Sequence, residues 1–273
     1  MKDNHIHSTF SDGKASIDEM VEAAKALGYE EVVFAEHFNP FLAEINRKTG
    51  YKMHIFPEEI ESYFLECEMA EQKHQIRVLK GFEVSWISHQ SEETKEALAR
   101  YMPSLDMILI SAHHLELLKD FKRTNGTVEK QGYSMYLGGE VLKEMIRQYD
   151  GFTNVLEVYA EKLKEAMVHL NGFCQNTGVA HLVVFSNDPC YNQEAASPII
   201  RDLLSDIKGN GFFLEVNFHY YRKGTSVETR PYLEDAVHFL RLGGSLAFAS
   251  DAHSVEDLNV TTKHYPIFER LRK

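Results

Sequence analysis

Cysteine is scarce in this 273-residue chain: Cys67, Cys174 and Cys190 are far apart, odd in number and form no CxxC pair. That excludes a disulfide framework and a cysteine zinc site, and leaves each as a small buried or half-buried residue. Long apolar runs are missing too, and none approaches the roughly 20 residues of a membrane-spanning helix. The opening Met1-Lys2-Asp3-Asn4-His5 lacks the apolar core of a signal peptide, so the expectation is a cytoplasmic protein with no membrane partner. Basic residues are the minority, 29 Lys and Arg against 41 Asp and Glu, giving a formal charge of −12. Such a surface repels a phosphate backbone and makes long nucleic acid a poor partner, although carboxylates that neutralise bound cations would lessen the charge. Linkers rich in Pro, Gly or Ser, internal repeats and low-complexity tracts are absent, so residues 1–273 read as one domain. Nothing in this inventory sets an oligomeric state.

Short apolar runs alternating with helical patterns are what the chain does contain. Seven runs read as strands: Lys2–Ile6, Glu31–Ala35, Ile76–Val84, Asp106–Ile110, Ala180–Phe185, Gly211–Asn217 and Ser245–Ser250. Helices are expected at Ile17–Leu27, Pro57–Lys73, Pro198–Ile207 and Pro231–Leu242, three of them opening on proline. Gly138–Ala166 reads as one or two helices interrupted near Gly151. Strand-then-helix repetition predicts an α/β fold with a parallel sheet, closed into a barrel, with a doubly wound open sheet as the alternative. Leu115–Val179 is expected to be an insertion between strands four and five, a lid or side flap.

The 14 histidines matter by placement. Strand one ends in His5-Ile6-His7, and residues two apart on a strand share a face. The next loop carries Ser11-Asp12-Gly13. Strand two ends in Glu36-His37, strand three in Gly81-Phe82-Glu83, strand four in Ser111-Ala112-His113-His114, and strand seven in Ser250-Asp251-Ala252-His253. His181 is the exception, placed at the start of the fifth run. One HxH is weak evidence, because a lone histidine is more often structural than a ligand. Six such pieces at the C-terminal ends of barrel strands converge on the mouth where barrel active sites form. Imidazole with carboxylate suits zinc, manganese or iron, and the matching chemistry is hydrolysis at phosphorus.

These motifs resemble those of the PHP (polymerase and histidinol phosphatase) family along nearly the whole chain. The carriers are His5 to Gly13, Glu36-His37, Gly81-Phe82-Glu83-Val84, Ser111-Ala112-His113 and the closing Ser250-Asp251-Ala252-His253. Length, the insertion and Glu215-Val216-Asn217 are most similar to the histidinol-phosphate phosphatase branch. The resemblance implies a distorted (β/α)7 barrel, TIM-barrel-like, with a helical insertion after strand four and two or three divalent metal ions. It also implies a partition: His5, His7, Glu83 and Asp251 on one ion; Glu83 bridging to a second with His113 and His181; Asp12, His37 and His253 on a third. A hydroxide between two metals would attack phosphorus, and Glu83, Asp251 and His253 would be catalytic. Three stretches depart from the branch. Its GHxD motif reads Ala180-His181-Leu182-Val183 here. Phe185–Cys190 has no base, and bulky Phe218-His219-Tyr220-Tyr221 follows Asn217. The pocket wall must therefore differ.

Asn217, His219, Arg222 and Arg230 are the candidate substrate contacts. Arg222, Lys223 or Arg230 would hold phosphate, or else be solvated loop charge. His219 would be a general acid or a substrate contact, or part of an aromatic cluster. Glu36 would orient His37 or a water from behind, or ligate directly. His114, facing away from His113, is expected to be structural, and Trp86 and Ile87 to be packing. His54, His74, His89, His169, His238 and His264 are expected at the surface or in packing. The leading expectation is a phosphomonoesterase that converts histidinol phosphate to histidinol. The alternatives are a phosphatase for nucleotides, sugar phosphates or phosphotyrosine, or a catalytically weak metal-binding module. Amide hydrolysis fits the closing motif less well, and exonuclease action lacks a basic channel.

Overall fold

Seven strands line up in the order β1 (Lys2–Ile6), β2 (Glu31–Phe38), β3 (Arg77–Ser85), β4 (Met107–Ser111), β9 (Thr177–Val179), β10 (Phe213–Asn217) and β11 (Leu246–Ala249). Every neighbouring pair is parallel. The computed structural model describes residues 1–132, 134–219 and 233–260. Edge strands β1 and β11 meet through a parallel bridge between Ile6 and Ala252. There His7 N donates to Ala252 O and Asp251 N to His5 O, each at 2.9 Å. Lower down, the seam is side-chain work: Asn4 Nδ2 donates to Phe248 O, and Asp3 Oδ1 accepts from Ser250 N, both at 2.9 Å. The sheet is thus nearly closed into a barrel, as expected, and the open-sheet alternative falls.

Two apolar layers follow from the two-residue period of a strand. On β2, Val32 and Phe34 join the large core under the helices, whereas Val33 and Ala35 join a small inner cluster with Met107, Leu109 and Ala180. That inner cluster plugs the barrel floor, with Leu79 and Phe213 against it. Continuing the same alternation upward reaches His37 on β2, Glu83 on β3 and Glu215 on β10. The strands therefore run from an apolar floor to a polar mouth.

Helix α1 (Ile17–Ala26) starts at a capping box between Ser16 and Glu19 and buries Ile17, Met20, Val21 and Ala24. The expected helix from Pro57 is a 3-10 turn leading into α3 (Ile60–His74). Two helices escaped sequence reading: α2 (Pro40–Thr49), capped by the Asn39 side chain and stopped by left-handed Gly50, and α4 (Ser91–Ala99). Helix α7 (Gln193–Gly209) begins before Pro198, capped by Asn192, and α8 (Leu233–Arg241) is the one expected from Pro231. Pro231 itself lies outside the described residues.

The fifth strand is a correction. It is Thr177–Val179, and the apolar run from Ala180 to Phe185 is buried without being a strand. His181 therefore follows its strand, like the other candidate ligands. The expected flap is also corrected. Helix α6 (Phe152–Leu170) packs on α7, α4 and β4 as the ordinary crossover from β4 to β9. What is inserted is smaller: two-stranded ribbons β5 (His114–Glu116) with β8 (Ser134–Tyr136) and β6 (Phe121–Lys122) with β7 (Val128–Glu129), then α5 (Gly139–Gln148). Among the described residues, no helix is long and apolar enough to cross a membrane.

Candidate metal centre

Glu83 sits at the middle of the mouth, only 1% exposed. Its Oε2 lies 2.8 Å from His37 Nδ1, 3.4 Å from His5 Nε2 and 3.8 Å from His7 Nε2. Its Oε1 lies 2.6 Å from His181 Nε2 and 3.2 Å from His113 Nε2. Asp251 Oδ1 approaches His7 Nε2 at 3.3 Å and His253 Nδ1 at 3.6 Å. Asp12 Oδ1 approaches His253 Nε2 at 3.3 Å and His37 Nε2 at 3.6 Å. Seven of the nine expected ligands line one cavity of about 130 Å³, whose rim adds Met53, Val183, Val184 and His219. The other two, His5 and His7, are fully buried against Glu83 and Asp251.

Hydrogen bonding alone does not explain this packing. His37 Nδ1 and Glu83 Oε2, though 2.8 Å apart, are not aligned to bond, and with Asp12 Oδ1 they are buried atoms with no hydrogen-bond partner among the described residues. Nε2 of His5 and His7 face each other at 2.9 Å, as do those of His113 and His181 at 3.1 Å. Lone pairs aimed at shared points from nitrogen and carboxylate donors are what divalent cations require. The donors fall into overlapping groups: His7, Asp12, His37 and His253; His5, His7 and Asp251; His37, Glu83 and His113; and His219, Asp251 and His253. These overlap more than the implied partition does: His7, His37, Asp251 and His253 each fall in two groups, His219 is added, and His181 falls in none.

Charge follows geometry. Burial opposes ionisation of Glu83, yet His37, His113, His181 and His5 hold its carboxyl well below the usual range. Asp251 is likewise held down, against burial, by His5, His219 and His7. Burial disfavours charge on His181, but Glu83 and Glu215 outweigh it and raise the ring to about 9. His253 rises to about 9 against the same opposition, through Asp12 and Asp251. His7 is pushed down to about 3 by burial and by the rings of His253 and His37.

A second layer orients the first. Glu215 is fully buried, with Oε1 2.6 Å from His5 Nδ1 and Oε2 accepting from His181 N at 2.5 Å. Sequence reading had used it only as part of a motif. Glu36 turns out to serve His7 and its loop rather than His37. Oε1 accepts from Ser8 N at 2.9 Å and Ser8 Oγ at 2.5 Å, and Oε2 accepts from Ser11 Oγ, which in turn lies 3.4 Å from His7 Nδ1. Burial raises the Glu36 carboxyl to about 7, with the serine bonds opposing. Asp251 holds φ 52°, a left-handed conformation rare outside glycine, which turns its carboxylate into the mouth.

The substrate candidates fare unevenly. Asn217 supports the centre: Nδ2 donates to Asp251 Oδ2 at 3.2 Å and Oδ1 accepts from His219 N at 2.8 Å. His219 reaches the cavity, with Nδ1 3.3 Å from Asp251 Oδ2. Arg222, Lys223, Arg230 and His264 lie outside the described residues. His114 is buried on β5, as the structural expectation had it. Trp86 is buried against the ring of His169. His74 pairs with Asp18 at 2.8 Å. His54 is not at the surface: it is 1% exposed and hydrogen-bonded.

Fold and site together define a barrel hydrolase type with a multi-cation mouth. The chain belongs to the PHP domain family, whose pattern matches residues 3–219. A histidinol-phosphatase of Bacillus subtilis is 25% identical over 268 residues, covering 94% of this chain and 95% of the relative. The hisK protein of Listeria monocytogenes superposes with a TM-score of 0.75 at 23% identity, covering 97% of this chain and 100% of that one. The histidinol phosphate phosphatase of Lactococcus lactis, crystallised with zinc, L-histidinol and phosphate, superposes with a TM-score of 0.67 at 16% identity, covering 99% and 93%. Both likenesses support the distorted barrel.

Proposed function

We propose that this chain is a cytoplasmic, metal-dependent phosphomonoesterase that hydrolyses histidinol phosphate to histidinol and phosphate, as one domain over residues 1–273. The carrying observation is the convergence of His5, His7, His37, His113 and His181 on Glu83, with Asp12, Asp251 and His253 joined to His7 and His37 beside it. Two or three zinc, manganese or iron ions held there would acidify a water, grip phosphate oxygens and neutralise the leaving oxygen. The protein's own part is positional. Glu83 offers both oxygens to different imidazoles, and so sets the spacing of the centre. His219, with Nδ1 3.3 Å from Asp251 Oδ2 and its side chain lining the cavity, would serve as the general acid towards the leaving alkoxide. Asn217 steadies both.

The end-to-end match to the Bacillus subtilis histidinol-phosphatase supports the choice of substrate. One observation favours a second reading, a phosphatase for another small ester. The wall after β9 presents Asn187 and Asp188, with no base, in a cavity that shares Val184 with the metal mouth. Metal-loaded protein assayed against histidinol phosphate, nucleotides, sugar phosphates and phosphotyrosine separates the two. A preference of at least about tenfold in kcat/KM for histidinol phosphate is expected, a margin of about 1.4 kcal/mol. A flat profile moves the assignment to the second reading. Metal uptake without turnover of any ester would leave only a binding module. Glu83→Ala and Asp251→Ala should abolish metal-dependent turnover.

A further inference from the structure

His54 belongs to none of the expected ligand groups, yet it is buried beside the centre, its ring 5.7 Å from that of His37. Its hydrogen bonds have a readable direction. Asn46 Oδ1 receives Met53 N at 3.3 Å and His54 N at 3.0 Å, so the atom facing them is the amide oxygen, an acceptor. The same oxygen lies 2.9 Å from His54 Nδ1, which must then carry the proton. His54 Nε2 is left with a bare lone pair, 3.4 Å from Ser85 Oγ, so the Ser85 hydroxyl donates to it. Ser85 Oγ, its proton committed, accepts from His113 Nδ1 at 3.2 Å. Ser111 works in the same sense: it donates to Val84 O at 3.3 Å and so accepts from His113 Nδ1 at 3.4 Å. His113 is thereby fixed as the Nδ1–H tautomer, and Nε2 presents its lone pair to Glu83 and His181.

We infer that His54 is a positioning residue of the metal centre, acting through Ser85 to set the tautomer of His113; this rests on the metal-centre reading above. Without an acceptor at position 54, the Ser85 hydroxyl is free to turn and donate to His113 Nδ1. The ring can then protonate Nε2 and lose its ligand lone pair.

The full-length protein tests this with His54→Phe, which fills the space without an acceptor, and His54→Gln, whose amide oxygen replaces Nε2. Zinc affinity is measured by competition with a chromophoric chelator, and tautomers by side-chain ¹⁵N NMR of the metal-free protein. Wild type should show His113 as the Nδ1–H tautomer. His54→Phe should bind zinc about 10- to 100-fold more weakly, with His54→Gln within about threefold of wild type. Adding Ser85→Ala to His54→Phe should cost nothing further, because both act through one chain. Equal zinc affinity in His54→Phe and wild type overturns the role of His54, as does His54→Gln as damaged as His54→Phe, or an Nε2–H tautomer at His113 of wild type. A wild type that takes up no zinc overturns the metal centre itself and this role with it. If His54→Phe fails to fold, His54→Gln and the wild-type tautomer still decide.

Discussion

Glu215 Oε1 and His5 Nδ1 lie 2.6 Å apart, both groups fully buried, at the point where β10 looks across the barrel at β1. The carboxylate accepts a hydrogen bond from His5 Nδ1, and His5 Nε2 faces Glu83 and Asp251. The other oxygen of Glu215 holds the backbone of His181. In Glu215→Gln, one of these two donors meets an NH2 group. Metal content and turnover should both fall by about 10- to 100-fold. A variant that keeps wild-type metal content would show that Glu215 does not orient the centre.

Metal loading should expel protons at neutral pH. His181 and His253 are raised to about 9 and His5 well above its ordinary value, so in the metal-free protein at pH 7 these rings are charged. A cation needs them neutral. His7, held to about 3, is already neutral and releases nothing. Apparent affinity should therefore climb as pH rises from 7 towards 9, and level off above it. Manganese titrations by calorimetry, in two buffers of different ionisation enthalpy, read the proton count directly. Identical heats in both buffers at pH 7 would contradict the charged rings.

Gly13 follows Asp12 in a turn where Ser11 N and Gly13 N both donate to Ser8 O. A Cβ at position 13 would stand 2.7 Å from the backbone of Ser8. Gly13→Ala must push the loop outward and carry Asp12 with it. The expected result is loss of one cation, the one proposed for the group of Asp12, His37 and His253, with the barrel still folded. Metal stoichiometry by elemental analysis checks it, and an unchanged count would refute the prediction.

Gly81 carries a structural version of the same argument. A Cβ there would lie 3.0 Å from Phe34 O and 3.2 Å from Met107 O, squeezing β3 between both neighbours. Backbone cannot step aside as a side-chain tip can. Gly81→Ala should cost about 1–3 kcal/mol, read as a lower urea midpoint with an unchanged slope. A midpoint equal to wild type would mean that the strands yield at no cost.

Most of the candidate ligands were legible because they sit at strand ends, where a polar group interrupts an apolar run: His37 after Val33 and Ala35, and Asp251 after Ala247 and Ala249. The barrel followed from the same rhythm. The fifth strand misled because Leu182, Val183, Val184 and Phe185 are as apolar as a strand but are buried in turns. Helix α2 left signals that went unused, Asn39 before Pro40 and Gly50 after Thr49. Glu215 was less accessible, since a lone acid inside an apolar strand shows its partner only when the barrel closes. His54 had no periodic signal, and its bonds depend on Asn46 and Ser85 from other elements.

The seam between Ile6 and Ala252 has a consequence for how the protein comes into being. His5 and His7 are translated long before Asp251 and His253. Until the last strand docks beside the first, the nascent polypeptide owns only fragments of a chelate. Completion of the candidate centre therefore waits for the docking of that strand, and a product truncated before Ser250 would keep the His37, Glu83 and His113 group but lose every group that draws on Asp251 or His253.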